Sequence, residues 1–197
     1  MSGAGVQAVV VGASAGALEA LSVILPQLPG NYCLPILVVV HVPPDKASLL
    51  TTILAAKCHM KVHEAEDKQA IEAGAIYVAP PGYHLLVEKD RTLSLSTEEE
   101  VHFSRPSIDV LFETAVDAYG AQLAGIVLSG ANNDGAQGLR AIADAGGTAV
   151  VQQPEMAFSP FMPLAALKAC PCAQVMSLDM IATWLTSLAE GSRNNEL

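Results

Sequence analysis

The sequence predicts an α/β protein: a doubly wound, mostly parallel sheet flanked by helices, with a small antiparallel β-hairpin excursion. Three observations carry this expectation. Short β-branched or wholly apolar runs alternate with segments whose apolar residues recur at helical spacing. The run at 35–40 (PILVVV) is apolar at every position, as expected of a strand covered on both faces. Glycine closes two of them, Gly12 after the first and Gly130 after residues 123–129, where a strand can turn sharply into a helix.

In order along the chain, residues 7–11 (QAVVV) read as a strand ended by Gly12, and 17–25 as a helix stopped by Pro26. Residues 35–40 (PILVVV) form a second buried strand, and 47–57 a helix. Between Lys61 and Arg105 the rhythm changes. Residues 76–79, 85–88 and 92–96 are short strand-like pieces separated by Pro80–Pro81–Gly82 and Lys89–Asp90–Arg91. We read this stretch as an antiparallel excursion, either a hairpin insert or an edge of the main sheet. A helix returns at 107–119 after Pro106. Residues 123–129 (LAGIVLS) and 148–152 (TAVVQ) are strands around a helix at 135–145, and 178–189 is a closing helix. A single domain over 1–197 is expected, with a frayed tail from about 191 to 197.

Composition narrows the function. Hydrophobic residues make up 51% of the 197 and charged ones only 15%, against roughly 25% in ordinary globular chains. That excludes intrinsic disorder. A formal charge of −10 disfavours sequence-independent nucleic-acid binding and anionic membrane surfaces. The first basic residue is Lys46, so no secretory signal is read, and no run approaches the roughly 20 apolar residues of a membrane span. Cys33, Cys58, Cys170 and Cys172 show no C-x-x-C spacing and read as reduced, buried thiols. A cytoplasmic location is expected.

In open parallel sheets ligands bind beyond the carboxyl ends of the strands. Ser14 follows the first strand within Gly12–Ala13–Ser14–Ala15–Gly16, His41 follows the second, and Asp134 follows the strand at 123–129. A serine, a histidine and an aspartate on one rim are the members of a hydrolytic triad. Taken singly, each has a plainer reading: Ser14 and Asp134 as helix N-caps, His41 as a satisfied core histidine. Their order in the chain does not match the α/β-hydrolases, which run Ser, acid, His. A dinucleotide site fails because Ser14 stands where the central glycine belongs and His41 where an acid is needed. Cys58, His59 and His63 cluster without completing a tetrahedral metal set, so no metal and no cofactor are expected.

With these residues in place, the whole chain resembles the catalytic domain of the chemotaxis protein-glutamate methylesterase family. The segments run in order: VVVGASAGALEAL, VVVHVPP, YVAPPGYHLLV, HFSRPSIDVLFETA, IVLSGANNDGAQGL, AGGTAVVQQPE and MPLAAL. The resemblance implies a serine hydrolase that demethylates glutamyl methyl esters on chemoreceptor signalling helices, with glutamine deamidation in some members. By position it implies Ser14 as nucleophile, His41 as general base and Asp134 as the residue orienting His41. Arg105 falls near the cleft, which implies a substrate-binding role. Ala15, after the serine, replaces the usual threonine.

The family motif Thr-Gly-Met-Gly-x-Asp-Gly reads Ser129–Gly130–Ala131–Asn132–Asn133–Asp134–Gly135 here. Ala131 thus stands where a methionine helps position the oxyanion-stabilising loop. Family members usually carry an N-terminal receiver domain; the nucleophile turn here begins close to Met1, so none is expected before it. A separate receiver protein is left open as a regulatory partner. Two other functions also stay open: a catalytically weakened interaction module of a signalling pathway, and an esterase for a small molecule.

Overall fold

The computed structural model describes residues 5–41 and 47–193. Seven parallel strands form the main sheet in the order β3-β4-β2-β1-β7-β8-β9. They are β1 (Ala8–Ala13), β2 (Ile36–Val40), β3 (Lys61–Glu64), β4 (Ala75–Val78), β7 (Leu123–Val127), β8 (Thr148–Gln152) and β9 (Gln174–Met176). An antiparallel hairpin, β5 (His84–Val87) with β6 (Leu93–Ser96), makes a second small sheet. The helices are α1 (Ala17–Ile24), α2 (Ala47–Lys57), α3 (Ile108–Tyr119), α4 (Ala136–Asp144), α5 (Phe161–Ala169) and α6 (Leu178–Arg193). This is the doubly wound fold class that the alternation predicts.

The all-apolar strands are explained by cover on both faces. Side chains alternate along a strand, so Val9, Val11, Ile36 and Val38 face one layer with Leu21 and Ile24 of α1, Leu54 of α2 and Leu185 of α6. Val10, Leu37, Val39 and Val127 face the other, with Phe112 of α3, Leu139 and Ile142 of α4, and Met162 of α5. The hairpin extends this second layer through Leu85, Val87 and Leu93.

Four elements differ from expectation, and the first is edge strand β3, which lies in the stretch read as antiparallel but pairs parallel to β4. The piece read at 76–79 belongs to no antiparallel excursion. It is β4, paired parallel to both β2 and β3. Of the strands named above, among the described residues, only β5 and β6 pair antiparallel. Helix α5 and strand β9 had no counterpart in the sequence reading. Cysteines also depart from it: Cys170 is buried, Cys33 and Cys58 are half-buried, and Cys172 is exposed. Among the described residues no helix is long and apolar enough to cross a membrane. The frayed tail expected at 191–197 lies largely outside the described residues, since α6 is helical to Arg193.

The topology places β2, β1 and β7 side by side at the centre. Their carboxyl ends lead into His41, Ser14 and the loop that carries Asp134. One packing detail brings α3 to the same place. Ile108, its first residue, lies against Gly12 and Gly135, where any added Cβ would collide with its side chain. The N-terminus of α3 is thereby seated directly over the ends of β1 and β7.

Candidate active site

Asp134 is the best-held side chain of the rim, fully buried and ringed by donors. His41 Nε2 lies 2.8 Å from its Oδ2, and the Ile108 N–H donates to the same oxygen at 2.7 Å. Its Oδ1 accepts from Ser107 Oγ at 2.9 Å, from the Asp109 N–H at 2.9 Å and from the Gly135 N–H at 3.0 Å. Asp134 does cap a helix, though not the one that follows it. It closes the N-terminus of α3, whose unpaired N–H groups and positive dipole end favour a carboxylate. Burial raises the carboxyl pKa, but the bonds from His41 and from the Asp109 and Ile108 amides outweigh it. Asp134 is held below the usual carboxylate value and is ionised at neutral pH.

An ionised carboxylate only accepts hydrogen bonds, so His41 Nε2 carries a proton and donates it. The other ring nitrogen, Nδ1, faces the Asn132 amide nitrogen at 3.1 Å. The Asp134 N–H donates to Asn132 Oδ1 at 3.2 Å, which turns the amide's NH₂ toward the ring. Nδ1 is therefore the acceptor nitrogen, and the tautomer is set.

Ser14 sits between the last residue of β1 and Gly16, which takes φ 82° and caps α1. That left-handed conformation is open to glycine at little cost. The Ser14 hydroxyl makes no hydrogen bond among the described residues. Its backbone N–H donates to Ser129 O at 2.9 Å. The N–H groups of Ala15 and Gly16 are likewise without partners among the described residues, at the positive end of α1. Ser14, His41 and Asp134 thus lie on three neighbouring strand ends, with His41 and Asp134 directly bonded.

Other residues hold these in place, and the sequence reading passed over them. Ser129 is buried after β7; its Oγ donates to Ala15 O at 2.6 Å and accepts from the Ser159 N–H at 2.8 Å. Its own N–H donates to Gln152 Oε1 at 2.8 Å. One hydroxyl therefore ties the serine turn to the 153–160 segment. Ser129→Ala strands the Ala15 carbonyl and the Ser159 N–H. It is expected to cost about 1–3 kcal/mol in thermal unfolding and to lower turnover as the serine turn loosens. His84, also buried, accepts the Ser107 N–H on Nδ1 at 3.2 Å and donates from Nε2 to Glu99 O at 3.0 Å. It fixes the residue from which α3 starts. Inspecting every residue beyond a strand end would have found Ser129 and Asn132; His84 carries no pattern.

Arg105 Nη1 donates to Thr97 O at 3.0 Å and Glu98 O at 2.8 Å, so that nitrogen braces its own loop. Ala131 is exposed on the Asp134 loop. His63 stands on edge strand β3 and stacks on Tyr77. Among the described residues no three His, Cys, Asp or Glu side chains converge to hold a metal ion.

Asp109 adds a pH-dependent element beside the site. Its Oδ1 accepts the Gly138 N–H at 2.7 Å, while Oδ2 is buried without a hydrogen bond and His102 Nε2 stands 3.4 Å away. Burial, reinforced by Asp134 and Glu113, pushes its carboxyl up to about 6 against the pull of the Gly138 bond and His102. Raised above its unfolded value, this carboxyl binds its proton more tightly in the folded state. It therefore removes stability as pH rises from about 4 to about 6. Asp109→Asn is expected to stabilise the protein above pH 6, by no more than roughly 3 kcal/mol, and not at all below pH 4. Denaturant melts of both proteins across that range check it.

Aromatic side chains border the rim. Phe158, 80% exposed, rests over Gly16. Phe103, 97% exposed, tips the tight turn that carries His102. Phe161 lines a groove of about 840 Å³ with Asn133, Ala136, Gln137 and Leu164, beside the Asp134 loop.

Comparisons with known proteins bear on this arrangement. The model of the CheB methylesterase family matches residues 9–185. A Leptospira interrogans protein, provisionally named protein-glutamate methylesterase/protein-glutamine glutaminase, is 49% identical over 176 residues, 89% of this chain and 91% of that one. The Archaeoglobus fulgidus protein-glutamate methylesterase/protein-glutamine glutaminase is 34% identical over 163 residues; the match takes in 81% of this chain and 47% of that longer one. In three dimensions the chain is similar to the crystal structure of the Thermotoga maritima CheB methylesterase catalytic domain. The TM-score is 0.89 at 28% identity, covering 94% of this chain and 100% of that one. The family match spans every element from β1 into α6, and includes all three rim loops. This chain belongs to the CheB methylesterase family.

Proposed function

We propose that residues 1–197 act as one serine esterase domain that hydrolyses glutamyl methyl esters on chemoreceptor signalling helices, with Ser14, His41 and Asp134 as its triad. The observation that carries this is the His41–Asp134 bond at 2.8 Å, which directs Nδ1, the nitrogen able to accept a proton, away from the carboxylate. Ser14 Oγ attacks the ester carbonyl as its proton passes to Nδ1. The oxyanion is met by the unpartnered N–H groups of Ala15 and Gly16 at the start of α1. Methanol leaves with the proton from Nδ1. Water then attacks the acyl-enzyme by the same route and frees a glutamate carboxylate. The relatives' names pair this reaction with glutamine deamidation, and the same steps would release ammonia from an amide.

A protein substrate is favoured over a small ester by the exposed rim. Phe158, Phe161 and Phe103 present aromatic surface that a helical partner would cover. A methylated side chain is uncharged, so the net charge of −10 does not oppose its binding. Arg105 belongs to this proposal as a substrate contact through Nη2, since Nη1 braces the loop and Nε is buried. Ala15 and Ala131 belong to it as the residues of the oxyanion turn and loop.

Methanol release from methylated receptor tests the reading. Release that depends on Ser14 supports it. Ser14 labelling by a fluorophosphonate without methanol release points to a small-molecule esterase, and neither result points to an interaction module. Repeating the assay with a phosphorylated receiver protein tests control by a separate partner.

A further inference from the structure

We infer that Asn132 is a latch on the general base: its amide occupies the lone pair of His41 Nδ1 and must be displaced before Ser14 can react. The inference rests on the triad proposed above. An unprotonated imidazole nitrogen has one lone pair in the ring plane and can accept one good hydrogen bond. In this structure the Asn132 NH₂ holds it at 3.1 Å. The amide cannot simply turn over, because its oxygen accepts the Asp134 N–H at 3.2 Å. The ring cannot turn over either, because Nε2 must donate to the ionised Asp134. The Ser14 hydroxyl meanwhile has no partner among the described residues. The base and the nucleophile are both formed, but the base is engaged elsewhere.

The latch is a positioning device. It keeps His41 in the tautomer the reaction needs, and it withholds the nitrogen until an incoming carbonyl draws Ser14 toward the ring. Exchange of one neutral hydrogen bond for another sets its strength, so release should change the rate by about two- to tenfold. A residue that served structure alone would slow the reaction when removed. A latch speeds it.

Two variants separate these outcomes. Asn132→Gly puts in the residue the family motif carries, and removes both amide bonds. Asn132→Ser keeps an oxygen for the Asp134 N–H but ends short of the imidazole, so it decides the matter if the glycine loosens the loop. The readout is the rate of Ser14 labelling by a fluorophosphonate. In that step the Oγ–P bond forms, the P–F bond breaks, fluoride leaves and the serine proton goes to Nδ1. Labelling of Asn132→Ser about two- to tenfold faster than wild type supports the latch, with the ¹⁵N resonance of His41 Nδ1 shifted and that of Nε2 in place. An unchanged or slower rate, or an unmoved Nδ1 resonance, overturns it. His41→Ala keeps the two readings apart. If it abolishes labelling while Asn132→Ser has no effect, the latch alone falls; if labelling survives it, the triad falls and takes the latch with it.

Discussion

Ser14→Ala is expected to lower ester hydrolysis by about 10⁴-fold or more while leaving the thermal unfolding midpoint where it was. The two halves of that expectation come from one observation. The hydroxyl makes no hydrogen bond among the described residues, so its removal strands no buried partner. The turn around it is held by backbone: the Ser14 N–H on Ser129 O, and the Ala17 N–H on Ser14 O. Alanine keeps both. His41→Ala should match the loss of activity, because nucleophile and base act as a unit. The measurement is methanol release from methylated receptor beside a melting curve. Wild-type turnover in Ser14→Ala would refute the triad.

Asp134→Ala is expected to lose activity and stability together. The carboxylate receives five donors, and alanine would leave the buried Ile108 and Asp109 amides and the Ser107 hydroxyl without acceptors. Breaking a buried charge-assisted cluster of this kind costs on the order of 3–5 kcal/mol. Asp134→Asn supplies one acceptor oxygen in place of two and puts an NH₂ against a donor; it should fall between wild type and alanine in both measures. Acid makes the same change reversibly. Because the folded pKa lies below 3.8, Asp134 contributes its full stability above that value and loses it as pH falls further. The acid limb of the wild-type stability curve below pH 4 should flatten in Asp134→Ala.

What the sequence made legible was whatever has a period or an end. Runs such as PILVVV announce a strand covered on both sides, and Ser14, His41 and the Asp134 loop could be placed because each follows such a run. Helix α5 was missed because FMPLAALKA is apolar on most sides and contains Pro163, so no face stands out. Strand β9 was missed because its three residues are largely exposed and too short to alternate. The parallel pairing of β4 was hidden by the hairpin turns that follow it. In the site, the proposed triad residues were readable, whereas Ser107 and His84 were not. Their roles depend on which helix end meets which loop, and that is settled by Ile108 fitting against two glycines and by the bonds from the start of α3 to Asp134.

The double duty of Asp134 also bears on what natural selection can remove. A lineage that kept this fold only as a binding scaffold would still need a carboxylate at 134, because helix α3 begins on it. It would have no comparable need for the hydroxyl at 14, which bonds nothing among the described residues. The two residues therefore carry unequal weight as witnesses. Asp134 would persist through a loss of chemistry, and Ser14 is the position where such a loss would first be written.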